Sequence, residues 1–408
     1  MTPAGAALDP LCAWRPQFPI LARTTYLISN SLGAMPAGAA DALAAYAETW
    51  ATRGVRAWEE GWWESAVETG DLVAPLLGTA PGTVAMHPNV TIASAVVRSC
   101  FDWSGRRNRI VYTALNFPSV MYLYEGARAE GAEIVVVPAS ADGMTVYLDR
   151  LLAAIDERTA LVPISHVLFK SGFIQDAAAV CARAQAVGAR VCLDVFQSAG
   201  TMPLALAAWG ADFAVGGCLK WLCGGPGNGF LYVRPDLHGV LEPRVTGWQA
   251  STQPFAFAPG LERSASIWRF LTGTPNVAAH GAARAGLEIL AAAGLDRVRE
   301  KSMRQTAGLI ARAEALGIPV FTPRDPDARG GTVTLAPPGA AAITRQLLAD
   351  EILVDYRPGA GVRLSPHFYT EDDECDRAVE RIAELVTAGI GERDEAGAPP
   401  RPVAWSGG

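Results

Sequence analysis

Two neighbouring stretches of the chain decide its fold: RVCLDVFQSAG at residues 190–200, and ADFAVGGCLKWLCGGPGNGFLYV at residues 211–233. Each begins with a short run of apolar residues, which is typical of a buried strand. A charged residue follows each run, since Asp194 ends the first and Lys220 comes just after the second. In an open sheet covered by helices, ligands bind at the carboxyl ends of the strands. We therefore expect both side chains at one binding site.

The same alternation of short apolar runs with helical patterns extends upstream to about residue 83. RIVYT at 109–113 and EIVVVP at 133–138 are examples, and a helical pattern follows each of them. This alternation predicts an α/β domain with a mostly parallel central sheet and helices on both faces. Two further helices are predicted before it, at residues 38–51 and 56–77.

The pattern changes after about residue 240, where an irregular segment rich in Pro, Gly and aromatic residues begins. Long helical patterns and short strand patterns follow it and predict a small α+β domain. We divide the chain into an N-terminal arm and helix that belong to the small domain (1–55), a large domain (56–293), the small C-terminal domain (294–390) and a Gly/Pro-rich tail predicted to be disordered (391–408).

The composition excludes several classes of protein. The chain has 408 residues, a formal net charge of −7 and no basic run, so nucleic acid is not an expected partner. No apolar run reaches the roughly 18 residues of a membrane helix, and the N-terminus lacks a signal-peptide pattern. The cysteine count is odd, at seven, and no C-x-x-C pair occurs. We therefore expect reduced thiols, no metal site and a cytoplasmic location.

Lys220 and Asp194 are the residues whose surroundings point to chemistry. Lys220 lies between Leu219 and Trp221, just before a glycine-rich loop. Burial lowers the pKa of a lysine and makes its amine nucleophilic toward an aldehyde. A carboxylate among apolar neighbours needs a cationic partner, such as a protonated ring nitrogen. The pair supplies both requirements of pyridoxal phosphate. The alternatives are a surface lysine and a helix-capping aspartate.

Several motifs surround these two residues. They are YLISNSLGAMP (26–36), NFPSVMYLYEG (116–126), SHVLFKSG (165–172), GW (247–248), GTPN (273–276) and GVRLSPHFY (361–369). Together with the block that contains Asp194 and Lys220, they resemble the class V aminotransferase group of the fold type I pyridoxal-phosphate enzymes. Within that group the pattern is kynureninase-like and isopenicillin N epimerase-like. The resemblance implies the aspartate aminotransferase-like fold, with a large cofactor-binding domain and a small α+β domain.

The resemblance implies roles at the cofactor ring for residues that match the family motifs. Lys220 binds pyridoxal 5′-phosphate as a Schiff base and moves protons at the substrate Cα, while Asp194 keeps the ring nitrogen protonated. Gln197 lies near the 3-hydroxyl group of the ring. Phe117 stacks on the face of the ring, the alternative being an aromatic residue of the core.

The resemblance also implies a phosphate site. Val90 and Thr91 open a helix, and helix N-termini favour anions; the alternative for Thr91 is an ordinary helix cap. Ser198 adds a further phosphate contact. Trp248 and Thr274 resemble positions that reach the phosphate from the neighbouring subunit. This implies a homodimer with shared active sites.

Three residues depart from the kynureninase pattern. Leu219 stands where a tyrosine is usual, and leucine provides neither a phosphate contact nor a proton. Val120 stands where the family has an acid, and Gln197 stands where a histidine is frequent. A cysteine desulfurase would place a histidine at position 219 and a reactive cysteine on a late loop, but the late segment 354–369 contains no cysteine.

Arg363 connects the pattern to a substrate. In the family an arginine here holds the substrate α-carboxylate through its planar fork; the alternative is a surface ion pair with the acidic residues 371–374. The resemblance therefore implies an enzyme that acts on an L-α-amino acid, as a kynureninase-like lyase or hydrolase that cleaves the side chain. A C–S β-lyase, an aminotransferase or an epimerase stays open, and so does a binding scaffold without catalytic activity.

Overall fold

Strands and helices alternate along the chain as the sequence predicts. The computed structural model describes residues 9–390, so the tail predicted at 391–408 lies outside the described residues. The strands are β1 (Thr25–Tyr26), β2 (Val84–His87), β3 (Arg109–Thr113), β4 (Glu133–Val137), β5 (Thr159–Ser165), β6 (Arg190–Asp194), β7 (Phe213–Gly217), β8 (Gly229–Val233), β9 (Val333–Leu335), β10 (Ile352–Leu353), β11 (Asp355–Arg357) and β12 (Gly361–Leu364). The helices are α1 (Ala37–Arg53), α2 (Ser65–Val73), α3 (Val90–Ser99), α4 (Pro118–Glu125), α5 (Leu148–Ala154), α6 (Ala177–Val187), α7 (Leu206–Trp209), α8 (Val277–Ala293), α9 (Leu295–Ala315), α10 (Ala340–Ala349) and α11 (Asp372–Thr387).

A seven-stranded sheet forms the centre of the larger part, in the order β2-β8-β7-β6-β5-β3-β4. All its strands run parallel except β8, which is antiparallel to β7 and β2. Strands β5, β7 and β8 are buried along their whole length, as expected for a sheet covered on both faces. The predicted mostly parallel sheet is therefore confirmed.

The register of the sheet brings the ends of its central strands together. Ser165 at the end of β5 pairs with Asp194 at the end of β6, and Asp194 pairs with Val215 in β7. The loop that carries Lys220 begins just after β7. Asp194 and this loop therefore lie at the same edge of the sheet, as the strand pattern predicts.

A second, smaller core lies in the C-terminal part. Strands β9, β11 and β12 form an antiparallel sheet, and α9, α10 and α11 contribute to the buried cluster packed with it. The N-terminal segment joins this part through β1, which pairs in parallel with β10, and through Leu27. Other N-terminal residues, among them Leu11 and Phe18, belong to the larger core. The boundaries at 55/56 and 293/294 stay predictions.

The helix predicted over residues 56–77 is wrong in extent. A 3-10 turn at Gly54–Trp58 and a turn that includes Gly61 precede α2, and a second 3-10 turn at Ala74–Leu77 follows it. Gly61 has a φ of 110°, which no helix accommodates, and Pro75 has no N–H to continue the helical bonds. Across residues 9–390, no helix is long and apolar enough to cross a membrane.

Candidate active site

Lys220 presents a free amine at the carboxyl edge of the sheet. Within residues 9–390 its amine takes part in no hydrogen bond or ion pair, whereas the other two lysines of the chain are held: Lys170 by Pro358 O and Lys301 by Phe368 O. Burial, opposed by Asp194 and reinforced by Arg363, lowers the pKa of Lys220 to about 8. At pH 7 about a tenth of this amine is therefore uncharged and able to attack an aldehyde, far more than for a lysine with the ordinary pKa.

Asp194 offers a buried acceptor beside this amine. Its Oδ1 accepts a hydrogen bond from the backbone N–H of Phe196 at 2.9 Å, while Oδ2 has no partner in the described part of the chain. Burial raises the pKa of the carboxyl group, and the Phe196 N–H and Lys220 oppose that shift. A carboxylate in a largely buried side chain that has only one donor is costly. A protonated ring nitrogen would supply both the missing donor and the missing charge.

Gln197 and the N-terminal loop hold the lysine loop in place. Gln197 donates through Nε2 to the carbonyl of Asn30 at 3.0 Å and accepts at Oε1 from Trp221 Nε1 at 3.0 Å. Gly33 N donates to Leu219 O at 2.9 Å, and a Cβ on Gly33 would lie 2.0 Å from Lys220 O. The segment around Gly33 is thus pressed against the backbone of Lys220, which only a glycine permits.

Arg363 is buried, 1% exposed, and is not a surface residue paired with the acidic run at 371–374. Its Nε and Nη2 donate to the two carboxylate oxygens of Asp355 at 2.7 and 2.5 Å, and its Nη1 donates to Phe169 O at 2.6 Å. A guanidinium has five N–H groups, so one remains on each terminal nitrogen. These two N–H groups suit a carboxylate ligand.

The start of α3 is open to an anion. Asn89 caps the helix, accepting from Ile92 N at 3.0 Å, which leaves the N–H groups of Val90 and Thr91 outside the cap bond. Thr91 is exposed, and its hydroxyl has no hydrogen-bond partner among the described residues. The unsatisfied N–H groups and the helix dipole both favour a phosphate here. Ser198, by contrast, is fully buried and its hydroxyl donates to Val195 O at 3.3 Å.

Phe117 is not a core aromatic. It caps α4, is 39% exposed, and makes an edge-to-face contact with Phe169 at 5.2 Å between ring centroids. Its centroid lies 5.7 Å from Lys220 Nζ. The ring is therefore available to a planar ligand that reacts with the lysine.

Trp248 and Thr274 lie apart from this group. Trp248 is 41% exposed and packs edge-on against Trp63, with ring centroids 4.6 Å apart. Thr274 is exposed in the loop before α8. In the described residues no contact joins either side chain to Lys220 within one subunit. Their predicted role at the phosphate therefore depends on a second copy of the chain.

The residues at this edge fit a flat, cationic ring with an aldehyde and a phosphate. The free amine of Lys220, the unpartnered oxygen of Asp194, the exposed face of Phe117 and the open start of α3 match its four parts. A sequence model of the aminotransferase class-V family matches residues 25–362. The chain belongs to the class V aminotransferase family. It is accordingly a pyridoxal-5′-phosphate-dependent enzyme of fold type I.

Known proteins are similar over almost the whole chain. Kynureninase from Pseudomonas fluorescens is 32% identical over 397 residues, which cover 93% of each protein. Kynureninase from Burkholderia pseudomallei strain 1106a is 31% identical over 394 residues, again 93% of each. The apo structure of cysteine desulfurase from Thermococcus onnurineus NA1 superposes with a TM-score of 0.82 at 21% identity, covering 94% of this chain and 100% of that one. This likeness confirms the predicted fold.

Sequence reasoning missed two residues of the site. Asp355 binds Arg363, but the strand pattern around it does not indicate this partner. The only signal in the sequence is that Asp355 stands eight residues before Arg363, across a Pro/Gly-rich turn. Phe196 lies between Asp194 and Gln197, and its centroid is 4.2 Å from Lys220 Nζ. Its neighbours Asp194 and Gln197 are polar and indicate a site, whereas a phenylalanine at this position is also typical of a core.

Proposed function

We propose that this enzyme is a kynureninase-like lyase or hydrolase that cleaves the side chain of an L-α-amino acid. The observation that carries the proposal is the similarity to kynureninases along 93% of both chains. The site is compatible with such a substrate, because Arg363 keeps two N–H groups for an α-carboxylate close to the Lys220 amine. An amino acid held there would present its Cα to the lysine.

Each of three residues has a defined task in this proposal. Arg363 binds the α-carboxylate and fixes the orientation of the substrate. Lys220 accepts and returns a proton at the substrate Cα, which suits an amine whose pKa is lowered to about 8. Asp194 holds a proton on the ring nitrogen of the cofactor. When bound, pyridoxal 5′-phosphate draws electrons away from the Cα.

Leu219 limits which groups can donate a proton during cleavage of the substrate side chain. It precedes Lys220 and has an apolar side chain, so it donates no proton to a leaving group. Proton transfer at the side chain of the substrate then requires another group, such as Lys220 or water. This departure concerns the cleavage step and one phosphate contact, and it leaves the binding roles of Arg363 and Asp194 unchanged.

Product analysis tests the proposed reaction. The purified protein, loaded with pyridoxal 5′-phosphate, is incubated with L-kynurenine, and the products are identified by mass spectrometry. We expect anthranilate and alanine, and none from a Lys220→Ala variant. If kynurenine leaves the visible absorbance of the cofactor unchanged, the proposed substrate is wrong. Pyruvate and ammonia from S-substituted cysteines would instead indicate a C–S lyase.

We further propose that the enzyme is a cytoplasmic homodimer. Support for a second subunit comes from the exposed positions of Trp248 and Thr274 and from the exposed rings of Phe255 and Phe257 beside Trp248. A surface that exposes several large apolar rings together is typical of an interface. The seven cysteines are free, which suits a reducing compartment.

A further inference from the structure

Two phenyl rings lie near the amine of Lys220. The centroid of Phe196 lies 4.2 Å from Nζ, and the centroid of Phe117 lies 5.7 Å from it. Phe117 makes its ring contact with Phe169, and no ring contact joins Phe117 to Phe196 among the described residues. The two rings are thus not in contact with each other, and each of them lies near the reactive amine.

The backbone of Phe196 fixes its ring relative to Asp194. The N–H of Phe196 donates to Asp194 Oδ1 at 2.9 Å, so the residue that orients the carboxylate also carries the ring beside the lysine. The ring lies over Gly217 at the end of β7, where a Cβ would come within 2.8 Å of Phe196 Cζ. The glycine therefore leaves room for the phenyl ring at the strand end.

We propose that Phe196 forms the second aromatic face of the cofactor pocket, opposite Phe117. The cofactor ring would bond to Lys220 Nζ through its aldehyde carbon and would direct its nitrogen to Asp194. Because Nζ lies over the Phe196 ring, the cofactor ring would extend beside that phenyl ring. The inference rests on Lys220 as the cofactor lysine and does not depend on the identity of the substrate.

An aromatic ring in this position has two physical effects. It stacks with the pyridine ring, and offset stacking stabilises such pairs beyond their buried area. It also attracts positive charge at its face, so it favours the protonated form of Lys220 and of the ring nitrogen. Phe196 thereby contributes both to cofactor affinity and to the protonation state of the bound cofactor. It is a binding and positioning residue rather than a proton donor.

Two substitutions separate these effects. Phe196→Ala removes the ring, and Phe196→Leu keeps apolar bulk without the aromatic face; both retain the backbone N–H that holds Asp194. The affinity of the apo-protein for pyridoxal 5′-phosphate is measured by titration, together with the visible absorbance and circular dichroism of the bound cofactor across pH. We expect binding about tenfold weaker for Phe196→Ala. For Phe196→Leu we expect an intermediate loss and a shifted spectroscopic pKa.

Phe101→Ala is the matched control, because Phe101 is also half-buried and stacks on Trp103 at 5.3 Å beyond the far end of α3. It should bind the cofactor like the wild type. If Phe196→Ala binds as tightly as the wild type or more tightly, Phe196 merely fills the cofactor's place and the inference is wrong. A Phe196→Leu variant identical to the wild type in affinity and spectrum also overturns it. If the wild-type protein acquires no visible absorbance with pyridoxal 5′-phosphate, the assignment of Lys220 as the cofactor lysine is wrong instead.

Discussion

Asp355 and Arg363 lie opposite each other in the paired strands β11 and β12 and form a buried, bidentate ion pair. The pair joins Nε and Nη2 of the arginine to the two oxygens of the aspartate at 2.7 and 2.5 Å. Arg357 also lies 3.0 Å from Asp355 Oδ2, so one carboxylate balances part of the charge of two guanidinium groups. Asp355 therefore sets the orientation of Arg363 and leaves positive charge for a substrate.

Asp355→Asn tests whether this orientation serves substrate binding. The amide keeps the shape of the side chain but accepts only one of the two charged hydrogen bonds, so the guanidinium loses its fixed orientation. We expect the KM for the amino acid to rise about tenfold while kcat changes little, because the contact acts mainly on binding. Steady-state kinetics and the affinity for pyridoxal 5′-phosphate, which should stay unchanged, are the measurements.

Asp373→Asn is the control for this change, since Asp373 is an exposed acid of α11 paired with Arg377. Its kinetic constants should match those of the wild type. An Asp355→Asn variant with an unchanged KM would show that Arg363 does not need the pair for its task. Equal loss of kcat and of kcat/KM would place the effect in the chemical step instead.

The lowered pKa of Lys220 predicts the pH dependence of cofactor capture. Only the neutral amine attacks the aldehyde, so the rate at which apo-protein captures pyridoxal 5′-phosphate should rise with pH and level off above about 8. Asp194→Asn should shift this midpoint to lower pH, because the carboxylate favours the charged amine. Stopped-flow absorbance measures both. A midpoint near the ordinary lysine pKa of about 10.4 would contradict the prediction.

The same shift has a consequence for the stability of the apo-protein. The folded lysine releases its proton at a lower pH than the unfolded one, so the unfolded chain binds more protons between about pH 8 and 10.4. The contribution of Lys220 to the free energy of unfolding therefore increases as pH rises through this window. A Lys220→Met variant should lack this increase.

A pair of glycine substitutions tests the packing of the N-terminal loop on the lysine loop. Gly33→Ala would place a Cβ 2.0 Å from Lys220 O, and we expect the free energy of unfolding to fall by about 1–3 kcal/mol with weaker cofactor binding. Gly281→Ala is the matched change in open space within α8, and it should stabilise the protein by about 0.5–1 kcal/mol. Denaturant unfolding of both variants measures these changes. Changes of the same sign in the free energy of unfolding would contradict the predicted close packing at Gly33.

Mixing two inactive variants tests whether active sites are shared between subunits. If Trp248 acts on the partner's cofactor, Lys220→Ala and Trp248→Ala chains refolded or coexpressed together should form one intact site per mixed dimer. Activity should then exceed that of either variant alone. Mixed samples without a gain would indicate that Trp248 acts within its own subunit, and a monomer by ultracentrifugation would exclude shared sites.

The sheet and the two charged residues at its edge could be predicted because each depends on a local pattern. Apolar runs specify β6 and β7, and parallel strands bring their carboxyl ends together, so Asp194 and Lys220 follow from position alone. The start of α3 can likewise be predicted from the local sequence, since Asn89 caps the helix and Thr91 lies in its first turn.

The remaining contacts depend on packing between distant parts of the chain. Nothing near Gly33 in the sequence shows that Lys220 will lie against it, and the orientation of Phe196 depends on Gly217 in the next strand. The helix predicted over 56–77 is wrong for a local reason, because Gly61, with a φ of 110°, interrupts the helix despite the apolar periodicity. The sequence gives no sign of the role of Asp355, because a buried carboxylate resembles any polar strand residue until the position of its arginine is known.

Lys220 is the residue that we propose carries the cofactor, and the small number of lysines makes this assignment directly testable. The chain contains three, Lys170, Lys220 and Lys301. Borohydride reduction of the cofactor-loaded protein, followed by digestion and mass spectrometry, locates the bound group. We predict that the added mass lies on the peptide containing Lys220 and is absent from a Lys220→Ala variant. A label on Lys170 or Lys301, or on none of the three, would contradict the account.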